Sequence, residues 1–198
     1  MRRDIKDIMH KLGSRGEEAS YLVIDLEATC DRSGFPRNQM EIIEIGAVLV
    51  DGRTLAPRRE FQSFVRPVRR RTLTPFCTGL TSITQDMVDG APTFPEALIA
   101  LEDFLDGEDF LFCSWGAYDL GQFRQDAAHH GVSLPLGDRH LNLKAAFADR
   151  TDGRRCGMKG ALRRAGIPLD GTHHRGIDDA RNIAKLLPWC LGHAKLKR

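Results

Sequence analysis

The chain of 198 residues is long enough for one domain with a full core, and its 41% hydrophobic and 28% charged residues are those of an ordinary globular protein. A formal net charge of +2 excludes binding by bulk charge, although arginines gather at 66–71 and several acids sit on apolar segments. Five widely spaced cysteines without a C-x-x-C pair argue against a disulfide framework or a zinc knuckle, and predict small buried thiols in a reducing compartment.

Residues 1–19 form an appendage. Ile5, Ile8, Met9 and Leu12 follow helical spacing until Gly13-Ser14-Arg15-Gly16 breaks it, so a short amphipathic helix is expected, docked on its own domain or on a partner. The same segment lacks the apolar core of a secretory signal, and Asp4 and Asp7 argue against a transit peptide. No run approaches the ~18 apolar residues of a membrane span, so the expected location is the cytosol.

The contiguous apolar run over 21–28 predicts a central strand covered on both faces. After a polar loop, E-I-I-E-I-G-A-V-L-V predicts a second strand; Asp51-Gly52 marks a turn, and Pro57 is expected to delay the third strand to E-F-Q-S-F-V. These three read as an antiparallel meander. Ser82-x-x-Gln85 and Thr93-x-x-Glu96 have the form of capping boxes and predict helices near 82–89 and 94–106. A fourth strand over 110–115 and a helix over 118–130 stopped by Gly131 follow. H-L-N-L is a short fifth strand, K-A-A-F starts another helix, and 157–165 and 177–190 are helical, with Pro188 kinking or ending the last near the residue before it. The pattern is an α/β fold: a mixed five-stranded sheet flanked by helices, spanning 20–192 with a tail over 193–198.

Asp25 and Glu27 stand two apart on the first strand and therefore point to the same side. Two anions there are costly without a cation or hydrogen bonds. Asp119 lies just past the fourth strand in S-W-G-A-Y-D, and Asp178 and Asp179 open the last helix in H-H-R-G-I-D-D. Acids at a helix start also serve as dipole partners, the simpler role for Asp178. Carboxylates from strand ends and a helix start can converge in a mixed fold, and oxygen-only ligation suits Mg²⁺ or Mn²⁺.

In combination, V-I-D-L-E-A-T-C, S-W-G-A-Y-D and H-R-G-I-D-D resemble the three motifs of the DEDDh (DnaQ-like) 3′-5′ exonucleases. E-I-I-E-I-G-A-V, F-x-S-F-V-R-P, L-T-x-I-T-Q-D-M-V and T-F-P-E-A-L extend the likeness to the branch of histone-mRNA and small-interfering-RNA 3′ exonucleases and their bacterial relatives. The resemblance implies a ribonuclease-H-like sheet, two divalent cations and hydrolysis of single-stranded RNA or DNA from a free 3′ end, RNA favoured. It implies Asp25, Glu27, Asp119 and Asp179 as the metal carboxylates and His174 as general base; the H-x₄-D spacing selects His174 over its neighbour His173. One departure is that G-A-Y separates S-W from Asp119. The resemblance further places Glu27 and nearby backbone at the 3′-hydroxyl, Leu26 and Met40 near the terminal base, and Leu80 and Thr81 against the last bases, each with core packing as its alternative. Leu26 points away from its two acidic neighbours, so only its backbone, or a twist of the strand end, fits such a contact. Arg69, Arg70 and Arg71 are either phosphate contacts or a solvated loop. Trp115 and Tyr118 could stack on bases, with core packing the simpler role for Trp115. Two other readings stay open: a module that holds 3′ ends without cutting, and a proofreading-type subunit of a polymerase docked through the N-terminal helix.

Overall fold

Apolar residues fill the first two strands and decide where those strands lie. In the computed structural model, which describes residues 20–196, β1 (Ser20–Ala28) and β2 (Ile42–Val50) are buried along nearly their whole length. Strands with that pattern belong at the centre of a sheet with both faces covered. β3 (Pro57–Phe64) is largely exposed or half-buried and forms an edge. Pro57 does not delay this strand. It is its first residue, opposite Val50, at an edge position where a missing N–H is tolerated.

β4 (Phe110–Ser114) and β5 (His140–Asn142) complete the order β3-β2-β1-β4-β5. The pairs β1–β2 and β2–β3 are antiparallel, whereas β4 runs parallel to β1 and to β5. The sheet is thus the mixed, five-stranded, helix-flanked architecture expected from the sequence.

Eight α-helices accompany the sheet among the described residues: α1 (Pro75–Thr81), α2 (Gln85–Asp89), α3 (Phe94–Leu105), α4 (Tyr118–His130), α5 (Leu143–Arg150), α6 (Met158–Ala165), α7 (Gly176–Ala184) and α8 (Leu187–Cys190). Thr93 opens α3 as expected, its N–H donating to Glu96 at 2.7 Å. Ser82 does not open a helix. It ends α1 in the left-handed region at φ 60°. The helix before it starts at Thr74-Pro75, where the Thr74 hydroxyl accepts from the Cys77 N–H at 3.0 Å and proline occupies the first turn. The 177–190 helix is divided, ending at Ala184 and resuming at Leu187. Pro188 has no N–H for the Ala184 carbonyl, so the ladder breaks before the proline itself. The helical extension expected over 1–19 lies outside the described residues, and 193–196 carry no regular element.

Alternation along β1 sends Tyr21 and Val23 into a core with α5–α8, and Leu22, Ile24 and Leu26 into a second core with α3 and α4. Each large side chain so buried stabilises the fold by about 1.5–3 kcal/mol. The carboxyl end of β1 can therefore carry unfavourable groups without unfolding the strand. Gly46 and Gly176 bring α7 onto that end: a Cβ at Gly46 would lie 2.1 Å from the Gly176 carbonyl carbon, and one at Gly176 would lie 3.0 Å from the Asp25 carbonyl oxygen. Only glycine permits this backbone-to-backbone approach.

Candidate active site

Asp25 and Glu27 continue the Tyr21–Val23 face of β1, where the helical cover gives way to the start of α7. The site thus lies outside the carboxyl end of a central strand, the usual place for ligands in an open α/β sheet. A register shift between Glu27 and Ala28 marks the point where β1 leaves its pairing with β2. Asp179, in the first turn of α7, is aimed at the same place. Oxygens of Asp25, Glu27 and Asp179 lie within 4.8 Å of one another. Asp119, in the first turn of α4, is buried beside them, its Oδ1 accepting from the Leu26 N–H at 3.2 Å. All four line one cleft of about 470 Å³, together with His173 and His174.

Burial sets the electrostatics. It pushes the Asp25 carboxyl well above its ordinary range, and the charges of Asp119, Glu27 and Asp179 add to it. Glu27 is raised to about 8, by burial first and then by Asp179 and Glu44. Asp119 rises only to about 6, because N–H donors, that of Leu26 among them, and the Ser114 hydroxyl oppose its burial. Among the described residues no lysine or arginine pairs with any of the four. Converging carboxylates that lack a protein cation, and offer oxygen ligands only, fit hard divalent ions.

The two histidines differ in placement. His173 Nδ1 lies 3.1 and 3.0 Å from the two Asp179 oxygens. His174 donates its backbone N–H to Asp179 at 3.0 Å from a left-handed backbone at φ 66°. Their rings stack with centroids 3.9 Å apart. Burial lowers the His174 ring below its ordinary range, His173 lowers it further, and Asp179 partly offsets both.

A family model for the RNase_T exonuclease domain matches residues 22–187. The chain belongs to the RNase_T exonuclease family. Among curated relatives, ERI1 exoribonuclease 3 of Mus musculus is 35% identical over 181 residues, covering 84% of this chain and 52% of its own. The 3′-5′ exoribonuclease 1 of Homo sapiens is 31% identical over 174 residues, covering 83% and 50%. The chain spans about half the length of the curated relatives it matches. Among solved structures, the nuclease domain of 3′hExo, described as a DEDDh family member bound to rAMP, superposes with a TM-score of 0.81 at 30% identity, covering 86% of this chain and 90% of that one. Exonuclease I shares the fold at 11% identity and a TM-score of 0.68.

Within this exonuclease-family cleft the remaining sequence expectations divide. Leu26, Met40 and Leu80 line it. Met40 is held by its carbonyl, which accepts from Gln125 at 2.8 Å, Gln122 at 3.0 Å and Arg69 at 3.1 Å. Leu26 keeps its side chain in the α3–α4 core and gives its N–H to Asp119. Thr81 is not brought to the cleft: its hydroxyl is buried, donating to the Cys77 carbonyl at 2.9 Å and accepting from the Ile83 N–H at 3.1 Å.

The arginine run is not brought there either. Arg69 binds Asp126 at 3.1 Å, Arg70 stacks over Phe35 and bonds Gln39, and Arg71 reaches the Val68 carbonyl at 3.4 Å. The backbone N–H groups of Val68, Arg69 and Arg70 all donate to buried Glu41. Arg69 and Arg70 brace the 38–41 segment.

Lys159, Glu44 and Cys30, in or beside the cleft, carry no obvious signal in the sequence. Lys159, near the start of α6, brings a cation to the cleft. Glu44, wholly buried opposite Glu27, accepts from Arg175 Nε at 3.1 Å and the Gly176 N–H at 3.0 Å, tying the histidine loop to β2. Its only sequence cue is a carboxylate inside an apolar strand. Cys30 also lines the cleft and, like Cys156, is only half-buried, unlike Cys77, Cys113 and Cys190. Trp115 borders the cleft while donating its indole N–H to the Cys156 carbonyl at 3.1 Å, and Tyr118 lies beneath the Arg37 guanidinium.

These electrostatics predict a pH-dependent stability for the metal-free protein. The folded pKa of Glu27, about 8, and of Asp119, about 6, lie above their ordinary values, so the native state binds more protons than the unfolded chain. The stability this confers is fully present below the unfolded pKa values, and is lost as pH rises toward about 8. Melting in EDTA should fall in temperature from pH 5 to pH 8, and Mg²⁺ should restore more at pH 8 than at pH 6. A Mg²⁺ effect equal at both pH values would contradict this picture.

Proposed function

We propose that the chain is a metal-dependent 3′-5′ exonuclease that hydrolyses single-stranded RNA in preference to DNA, releasing nucleoside 5′-monophosphates. The observation that carries this reading is the convergence of Asp25, Glu27 and Asp179 within 4.8 Å of one another, beside Asp119 and His174 in one cleft. The preference for RNA is supported by relatives named exoribonucleases, and by one solved relative described as recognising the 3′ end of a histone mRNA stem-loop. The domain unit is taken as 20–192, and its setting as the cytosol, supported by five free cysteines. No helix among the described residues is long and apolar enough to cross a membrane.

Asp25, Glu27, Asp119 and Asp179 would hold two Mg²⁺ or Mn²⁺ ions. Such ions, when bound, favour water attack and offset negative charge at the phosphate. His174 takes the proton of the attacking water at a ring nitrogen as the new P–O bond forms and the bond to the 3′-oxygen of the preceding nucleotide breaks. Glu44 and Arg175 keep the loop that carries His174 seated on β2. The Leu26 N–H fixes one Asp119 oxygen at the cleft. Met40 and Leu80 provide apolar walls for the terminal base, with Leu26 contributing backbone. Lys159 meets the phosphate within the cleft, which the arginines at 69–71 do not line.

Matched RNA and DNA single strands, each with a free or a blocked 3′-hydroxyl, test this reading in Mg²⁺. RNA with a free end should shorten fastest, blocked RNA should persist, and EDTA should stop all loss. Equal cutting of blocked and free strands would defeat recognition of the 3′ end.

A further inference from the structure

His173 and His174 place imidazole nitrogens beside a carboxylate that already belongs to an all-oxygen cluster. Ring nitrogens of both and an oxygen of Asp179 lie within 4.8 Å of one another, as do the oxygens of Asp25, Glu27 and Asp179. Asp179 is therefore shared by two ligand sets of different chemistry. One is oxygen-only and suits hard ions; the other is two imidazoles and a carboxylate, a set that suits Zn²⁺ and its borderline neighbours.

The loop geometry brings the mixed set close together. The two rings stack with centroids 3.9 Å apart and 26° between their planes, and since a ring nitrogen's lone pair lies in its ring plane, a turn of one ring is what aims both at one ion. His173 Nδ1 stands 3.0 Å from Asp179 Oδ2. Donors bound to one zinc at about 2.0–2.1 Å are roughly 3–3.5 Å apart, so His173 Nδ1 and this Asp179 oxygen already stand at ligating separation. Both histidines are half-buried and open to the cleft, so an ion can reach them from solvent.

We propose that His173, His174 and Asp179 form a binding site for a borderline transition-metal ion of the Zn²⁺ class, and that filling it inhibits hydrolysis. Coordination occupies the lone pair with which His174 would accept a proton, and draws Asp179 away from the oxygen-only set. The inhibition rests on the hydrolytic reading above; the binding stands on its own.

Zn²⁺ titration of the metal-free protein against a chromophoric chelator, together with the visible spectrum of the Co²⁺-loaded protein, tests the site. Expected are one tight Zn²⁺ per chain and Co²⁺ bands of nitrogen ligation. His173→Ala should weaken Zn²⁺ binding by about 10- to 100-fold, as expected when a metal's support is removed, with a much smaller change for Mg²⁺. His173→Gln, which keeps a polar side chain of similar reach, should show the same loss and controls for folding. In Mg²⁺-supported hydrolysis, Zn²⁺ should inhibit wild type at concentrations at least about tenfold below those needed for His173→Ala. Unchanged Zn²⁺ affinity in both variants, or a Co²⁺ spectrum of oxygen ligation alone, overturns the site. A wild type that binds Zn²⁺ as expected yet hydrolyses nothing in Mg²⁺ would support the site and sink the hydrolytic reading instead.

Discussion

Asp25→Asn should lower the rate of RNA hydrolysis by about 10²–10³-fold or more, the scale on which single electrostatic groups act in active sites. Asparagine has the same shape and keeps a hydrogen-bonding oxygen, so the sheet is undisturbed while one negative charge is removed. Asp25 is the acid on which the others press: burial, then Asp119, Glu27 and Asp179, all raise its carboxyl. Without metal, neutralising it relieves that repulsion, so the variant should melt higher than wild type in EDTA at pH 8. With Mg²⁺ the order should reverse, because wild type gains ion binding that the variant lacks. A merely structural Asp25 would give the opposite result, with stability lost in EDTA and activity falling only in proportion to unfolded protein.

His174→Ala should reduce kcat by about 10²–10⁴-fold, the usual contribution of a positioned general base, while KM and Mg²⁺ affinity change little. Its ring is lowered from the ordinary histidine range by burial and by His173, so the neutral, proton-accepting form predominates at pH 7. Wild-type kcat should accordingly rise with pH along a limb lying below pH 6.5, and that limb should vanish in the variant. The neighbouring ring makes the test discriminating, since His173 is the one whose side chain faces Asp179. Near-normal turnover in His174→Ala, with loss of the limb in His173→Ala, would transfer the base to His173.

Why the cleft carboxylates were legible while Thr81 and the arginine run were not has a physical answer. Asp25 and Glu27 stand out because a central strand has no structural use for two anions on one side, and alternation alone fixes their common direction. Asp119 and Asp179 were placed by the motif resemblance, and the fold shows why they join the others: strand ends and helix starts meet at one end of the sheet. Arg69 and Arg70 misled because charge in a sequence does not say which partner is nearer. Glu41, Asp126 and Gln39 are remote in sequence from that loop and take up its donors.

Thr81 misled for a related reason, since a threonine at a helix end can turn its hydroxyl inward to its own backbone. The helix over Pro75–Thr81 starts at Thr74-Pro75, whereas the S-x-x-Q spacing at Ser82 pointed to a start just after that helix ends. Glu44 was hidden by its setting: only the fold reveals that a buried acid on β2 faces Arg175, 131 residues away.

The most direct measurement is the time course of 5′-labelled single-stranded RNA in Mg²⁺, with the released nucleotides identified. Expected are a ladder of labelled strands shortening by one residue at a time, accumulation of nucleoside 5′-monophosphates, and complete arrest by EDTA. Early release of a 5′-labelled mononucleotide, products bearing 3′-phosphates, or cutting that continues in EDTA would contradict it.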